Sequence, residues 1–386
     1  MKKLRVGVIY GGRSGEHEVS IASAAAVMAN LDRARYEPVP IRIERDGRWA
    51  LADKPPTAAS ASEVIEQTRS EMKGLRAGRE VHLVARPSEE TILAIDRMQG
   101  RGGEEPRSIV TGVGLDVIFP VLHGPHGEDG TVQGLLELAN VPYVGCGVLA
   151  SAAGMDKAIM KRLFGVHGLP VCPWDVVSRR RALAEPDAVA DALADRLGYP
   201  LFVKPANLGS SVGISKARTH DELVDAIKLA ADYDRKVVVE AAVPQAREIE
   251  VAVLGNDEPM ASVPGEIMPS REFYDYEAKY LDGASQLAIP ADVPAELGTR
   301  LQQLAIEAFR AIDGEGLSRV DFLVNGGTGE VFVNEINTMP GFTTISMYAK
   351  LWAASGLTYA ELVDRLVQLA LERHAEKQQL RVSALA

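Results

Sequence analysis

The chain has 386 residues, of which 46% are hydrophobic and 25% charged, and a net charge of −11. That size predicts two or three domains with real cores, and the proportions are those of a folded globular protein. The acidic balance argues against a general nucleic-acid or anionic-membrane binder, and no apolar run approaches the ~20 residues of a membrane span. Met1-Lys2-Lys3 opens like a signal peptide, but the apolar run that follows is too short for one and meets Gly11-Gly12. Residues 4–10 read as a buried strand of the parallel kind, 20–28 as a helix, and 36–43 as the next strand. Residues 46–112 carry no motif; a helix near 61–73 and a strand at 81–85 are expected there. Residues 117–122 form another buried strand, and the alternation predicts an α/β domain with a mostly parallel sheet. Cys146 and Cys172 lack metal-site spacing and read as reduced thiols of a cytoplasmic protein.

A second unit starts near Cys146, with a helix from about Asp156, a strand at 201–204, a helix near 220–231 and a strand at 237–240. The third runs from Val243, with a strand at 248–254, a long polar loop at 268–285, a helix at 295–312 and a closing helix near 358–372. The expected domains are therefore 1–145, 146–242 and 243–386.

The strongest chemical signal is late in the chain. Residues 317–324 and 331–337 alternate as two strands around a Gly-rich joint, which reads as a hairpin. Side chains two apart share a face, so Arg319 joins Asp321, and Glu335 joins Asn337. A loop with an odd number of residues would set Asp321 opposite Glu335. Hard oxygen donors without His or Cys suit a Mg2+ ion that keeps water and phosphates as its other ligands; the alternative is a polar face on a surface hairpin.

Five other segments carry chemistry. Lys204-Pro205 leaves a buried strand into Gly209-Ser210-Ser211-Val212-Gly213, where glycines admit an anion to backbone N–H groups and Lys204 adds a point charge. Glu240-Ala241-Ala242-Val243 reads either as a domain linker or as an edge for adenine. In Gly11-Gly12-Arg13-Ser14-Gly15-Glu16-His17-Glu18, Glu18 reads as a helix N-terminal carboxylate and Glu16 as a grip for a ligand ammonium group. His123 stands at a strand end where open α/β sheets bind ligands, while Glu128 and Asp129 read as loop-shaping residues. Ser346 reads as an N-cap, or as a hydroxyl that holds a substrate carboxylate together with the N–H groups after it.

Taken in order, these segments, with Met155-Asp156-Lys157, Phe273-Tyr274-Asp275-Tyr276-Glu277-Ala278-Lys279-Tyr280 and Asn334-Glu335-Ile336-Asn337-Thr338-Met339-Pro340-Gly341, make the chain resemble the D-alanine–D-alanine ligase family of the ATP-grasp superfamily. The resemblance implies a three-domain ATP-grasp fold with an N-terminal doubly wound, Rossmann-like parallel-sheet domain. It implies ATP between the second and third domains, with Lys157 and Lys204 on its phosphates and the loop containing Ser211 over them. Glu240, Ala241 and Val243 would take adenine and Glu248 the ribose. Asp321, Glu335 and Asn337 would hold two Mg2+, or Mn2+ in their place. Glu16, with His123 nearby, would hold the first D-alanine, and Arg319 and the Gly341 N–H would form the oxyanion site. Ser346, Met347 and Lys279 would hold the second carboxylate. Glu16, Ser210 and Tyr280 would form a hydrogen-bonded triad that closes the aromatic loop as a lid. A cytoplasmic homodimer is also implied.

Competing readings are a D-alanine–D-lactate or other D-amino-acid ligase of the same superfamily, and a non-catalytic nucleotide-binding regulator. The presence of Asp321, Glu335, Asn337 and Arg319 argues against the regulator, and Tyr280 favours D-alanine as the second substrate. The resemblance implies that ATP phosphorylates the first D-alanine to D-alanyl phosphate, which the amine of the second attacks; acyl phosphates hydrolyse readily, so a lid that excludes water is a physical requirement of this chemistry. Tyr280→Phe is expected to raise ATP hydrolysis that yields no dipeptide; an unchanged ratio of phosphate to dipeptide would remove the triad.

Overall fold

The computed structural model describes residues 2–71, 79–98, 107–268 and 286–381, so the expectations for Lys279, Tyr280 and the rest of the aromatic loop lie outside the described residues. The βαβ start forms where the apolar patterning places it: strand Leu4–Gly11, helix His17–Asn30 and strand Tyr36–Ile43. Val117–Val121 lies on the other side of the first strand, and all three strands run parallel.

The sheet they belong to is mixed, which corrects the expectation of a mostly parallel one. Strands Trp49–Leu51, Arg79–Leu83, Ile92–Met98 and Arg107–Val113 extend it beyond Tyr36–Ile43, each antiparallel to the strand before it. Parallel neighbours need a crossover of a dozen or more residues, whereas three of these four steps are short direct returns. The described strands of the motif-free stretch thus form an antiparallel extension of the N-terminal sheet.

The second sheet is antiparallel, in the order Ser215–Ala217, Leu201–Pro205, Lys236–Ala241, Trp174–Ser178. Helices Pro186–Leu197 and His220–Tyr233 cover one face of it through Val189, Leu193, Leu223 and Ile227. The third sheet is built on Ala246–Gly255, Gly316–Asn325 and Val331–Asn337, with Gly265–Met268 and Gln286–Ala288 at its edge. Ile249, Val251, Val320, Phe322, Val333 and Ile336 turn one face of it onto helices Lys157–Val166 and Ala295–Ala311. The opposite face is apolar at one end, where helices Met347–Ala354 and Tyr359–Lys377 cover Ala252, Leu254 and Leu317. At its other end it is charged.

One buried cluster binds the first and third sheets. Val8, Phe119 and Val121 share it with Met339, Phe342, Tyr348 and Leu366. Phe342 stands at its centre, edge-on to Phe119 with ring centroids 5.6 Å apart and 5.5 Å from the Tyr348 ring. Phe342→Ala is expected to destabilise the protein by about 3–5 kcal/mol in urea unfolding; a loss below ~1 kcal/mol would show that the two sheets are held together elsewhere.

Candidate active site

The late hairpin sets Asp321 opposite Glu335 and Arg319 opposite Asn337. The register is the expected one, but its origin is not an odd loop. Val324 pairs with Val331 and Phe322 with Val333, and the frame shifts at Asp321/Phe322, which leaves Asn334 as the extra residue of a bulge. Glu250 of the neighbouring strand lies on the other side of Asp321, so Glu250, Asp321 and Glu335 form one row across three strands. Strands lie ~4.8 Å apart, and like charges directly opposite repel. Arg319 answers that repulsion. Its Nε and Nη2 donate to Asp321 Oδ1 and Oδ2 at 2.7 and 2.6 Å, and its Nε is 3.1 Å from Glu250 Oε2. Glu248 is two residues before Glu250 and shares its face, opposite Leu323.

Cations reach this face from helix Lys157–Val166 and from the second sheet. Asp156 caps helix Lys157–Val166 by accepting from the Ala158 and Ile159 N–H groups, and it is ion-paired with Lys236. The Lys157 N–H donates to the Ala206 carbonyl, which sets the helix start against the end of strand Leu201–Pro205. Lys157 Nζ then donates to the Leu208 carbonyl at 2.7 Å and stands 3.8 Å from Glu335 Oε2. Lys204 is buried, donating to Glu240 Oε2 at 2.8 Å and to Asn334 Oδ1 at 3.2 Å. Lys161, one helical turn after Lys157 and fully buried, is ion-paired with Glu240 Oε1 at 3.2 Å and donates to the Asn334 carbonyl at 3.3 Å. Burial opposes the Glu240 charge, but Lys161 and Lys204 together hold its carboxyl below the usual range.

The Gly/Ser loop folds over these lysines. Asn207 is tied to Asp234 through its N–H and its amide, at 2.7 and 2.9 Å. Ser210 and Ser211 are both left-handed, with φ of 50° and 59°, a strained conformation typical of functional loops. The Ser210 hydroxyl donates to Glu16 Oε1, which joins the loop to the N-terminal domain. A Cβ on Gly209 would lie 3.1 Å from Glu16 Oε2, so only glycine lets the loop come this close without displacing Glu16.

Glu128 also faces this place, rather than only shaping its loop. It is buried, Oε1 accepts from the Gly124 N–H at 2.9 Å, and Oε2 has no hydrogen-bond partner among the described residues. Burial, then the Glu16 charge, push its carboxyl up to about 8. Asp129 does shape the loop, accepting from the His126 and Thr131 N–H groups, and Glu18 stands in the first helical turn, paired with Arg45 at 2.5 Å. Both His123 ring nitrogens are engaged inside the protein. Burial pushes its pKa down, so the neutral ring donates from Nδ1 to the Met339 carbonyl at 3.0 Å and accepts at Nε2 from Ser23 Oγ at 3.2 Å. Ser23 Oγ accepts in turn from the Phe342 N–H at 3.1 Å.

Ser346 stands at the N-cap of helix Met347–Ala354 but makes no side-chain capping bond. Its hydroxyl lies 2.7 Å from Thr343 Oγ1 and accepts from the Thr343 N–H at 3.0 Å. A Cβ on Gly341 would meet this hydroxyl at 2.8 Å, so the Gly341 backbone and Ser346 are neighbours, with Met347 next along the helix. In the linker, the Ala241 and Ala242 N–H groups donate to the Pro173 and Pro200 carbonyls at 2.9 and 3.0 Å. Of this segment's donors for a base, Val243 is the one not committed to these bonds.

Among the described residues no three acidic, His or Cys side chains close around one point. Asp321, Glu335 and the Asn337 amide instead form an open set of hard oxygen donors on one face. That fits an ion such as Mg2+ that completes its shell with water and phosphate, and not a closed protein cage. Lys161, Glu250 and Glu128 are the charged residues beside this face that sequence reasoning missed. Lys161 is four residues after Lys157 and Glu250 two after Glu248, so helical and strand spacing were the available signals.

The sign of one pH effect follows from Glu128. Its folded value of about 8 exceeds the ordinary 4.5, so the folded state holds the extra proton between those values. Its contribution to stability is present at low pH and is lost as pH rises towards 8. Glu128→Gln is expected to melt with the native protein at pH 5 and a few degrees above it at pH 9; a pH-independent difference would contradict this.

Comparison with known proteins is consistent along the whole chain. Residues 5–146 match the family model "D-ala D-ala ligase N-terminus" and residues 163–368 the model "D-ala D-ala ligase C-terminus". A D-alanine–D-alanine ligase of Heliobacterium modesticaldum is 54% identical over 98% of this chain and 97% of its own length. One of Natranaerobius thermophilus is 46% identical over 98% and 97%. Among solved structures, the D-alanine–D-alanine ligase of Coxiella burnetii aligns with a TM-score of 0.78 and 38% identity, over 98% of this chain and 97% of that one. The VanG D-Ala:D-Ser ligase of Enterococcus faecalis aligns with a TM-score of 0.76 and 34% identity, over 96% and 100%. With its α/β sheets and these matches, the chain belongs to the D-alanine–D-alanine ligase family and has its ATP-grasp fold.

Proposed function

We infer that this protein joins two D-alanines at the expense of ATP, through a D-alanyl phosphate, to supply D-alanyl-D-alanine for peptidoglycan precursors. The observation that carries the reading is the position of Lys157. One ammonium group touches both the Gly/Ser loop, at the Leu208 carbonyl, and the carboxylate row, at Glu335. A transferring phosphoryl group needs such a place, with a covering loop on one side and cation-binding oxygens on the other.

A carboxylate is a poor acyl donor, and phosphorylation gives it a good leaving group. Lys157 and Lys204 hold the nucleotide phosphates under the loop of Ser210 and Ser211, with Glu240, the Ala241 carbonyl and the Val243 N–H on adenine and Glu248 on ribose. Asp321, Glu335 and Asn337 would hold Mg2+ or Mn2+, which neutralises charge on the phosphates when bound. Glu16 grips the ammonium group of the first D-alanine, within reach of His123. Arg319 and the Gly341 N–H face the oxyanion that develops when the second amine attacks. Ser346, Met347 and Lys279 hold the second carboxylate, and Tyr280 draws the lid onto Glu16 and Ser210. The domains we assign are 1–145, 146–242 and 243–386, and we assign the enzyme to the cytoplasm as a homodimer. Among the described residues no helix is long and apolar enough to cross a membrane.

The test is phosphate release from ATP with D-alanine, D-serine or D-lactate as sole additive, with mass analysis of the products. D-alanyl-D-alanine should form from D-alanine and Mg2+, and phosphate release without dipeptide would overturn the reading. Arg319→Ala should slow dipeptide formation by roughly 10²–10³-fold, with ATP affinity changed less than about tenfold; equal losses of both would remove its oxyanion role.

A further inference from the structure

Lys161 has no place in the scheme above, yet it is the most deeply buried cation of the site, with a fully covered side chain. Such a charge persists only when paired and hydrogen-bonded. Its partners are Glu240 Oε1, at 3.2 Å, and the Asn334 carbonyl, at 3.3 Å. Glu240 Oε2 is held separately by Lys204, at 2.8 Å. One carboxylate thus lies between two ammonium groups, beside the Cys172 thiol, whose pKa burial raises. The two lysines are not equivalent. Lys161 is sealed behind the hairpin, whereas the Lys204 side chain keeps a tenth of its surface exposed.

The asymmetry matters once a nucleotide enters. Lys204 commits two of its three N–H groups to Glu240 Oε2 and Asn334 Oδ1, and a nucleotide phosphate competes with Glu240 for the same ammonium charge, which favours its departure from Oε2. Without a second cation that departure would strand a buried carboxylate, which is strongly unfavourable. We propose that Lys161 is the fixed counter-ion that holds Glu240 charged and in place while Lys204 moves to the nucleotide phosphates, so that Glu240 Oε2 becomes the acceptor for an amino group on the base. Lys161 is a positioning residue, since it touches no substrate. Its effect is to couple the two ends of the nucleotide: phosphates draw Lys204 away, and the vacated oxygen then reads the base. The three charged groups leave one surplus positive charge, which an anionic ligand neutralises.

This inference rests on the reading that Glu240 faces adenine, and the experiment separates the two. KM is measured for ATP and for the triphosphate of a purine ribonucleoside that lacks the 6-amino group, at saturating D-alanine. The native enzyme is expected to prefer ATP at least tenfold. Lys161→Met, which leaves the Glu240–Lys204 pair balanced in charge, should raise the KM for ATP more than tenfold. It should cut the preference to less than threefold and leave kcat within threefold. In the Glu240→Gln background no carboxylate needs holding, so adding Lys161→Met should change the KM for ATP less than twofold. That neutral pair carries the test if Lys161→Met alone does not fold. A preference retained in Lys161→Met, or the same loss in both backgrounds, would overturn the counter-ion role. A native enzyme indifferent to the amino group would overturn the adenine reading and this inference together.

Discussion

Three carboxylates in a row across adjacent strands are the constraint on which the rest of this site depends. Glu250, Asp321 and Glu335 occupy neighbouring positions on one sheet face, an arrangement that costs stability unless cations reach it. Arg319 spends its guanidinium on two of the three. The third, Glu335, faces Lys157, which stands at the start of helix Lys157–Val166. A sheet chosen for stability alone would not concentrate charge in this way. In the function we propose, the row is a place kept for a cation that comes with a nucleotide, and helix Lys157–Val166 and the second sheet bring lysines to it.

The same economy of charge runs through the interior. Glu240 is balanced by Lys161 and Lys204, and Asp156 by Lys236, so the charged groups beside the hairpin are paired. The joints that fix this geometry are neutral. His123, Ser23 and the backbone at Met339 and Phe342 form a hydrogen-bonded chain between the first and third sheets, inside the apolar cluster around Phe342. Rigid apolar packing positions the loops, and the loops carry the charges. Such a division suits a reaction whose catalysis is mostly positioning and electrostatics.

Much of this was legible in the residues. Alternation located both hairpin strands, the parallel start and the strand–loop–helix around Lys204, because those periods reflect which face is buried. What was not legible depended on tertiary contacts. The Asp321–Glu335 register comes from a bulge at Asn334, and a bulge leaves no local mark in a short polar run. Strand 49–51 is short, and 92–98 and 107–113 flank a polar Gly/Glu/Arg run that obscures their pairing, so the sheet read as more parallel than it is. Lys161 drew no reading of its own and Glu128 read as loop-shaping, because a buried charge is exposed as such only by its partners. His123 stands at the strand end where its position in the sequence put it, and its bonds to Ser23 and Met339 are tertiary contacts that no local pattern shows.

The most direct test of the account is an anomalous-diffraction map of crystals grown with Mn2+ and a non-hydrolysable ATP analogue. The account predicts manganese peaks bounded by Asp321, Glu335 and Asn337 on one side and the analogue's phosphates on the other. Peaks remote from this hairpin, or a bound nucleotide whose phosphates lie away from Lys157 and Lys204, would contradict it.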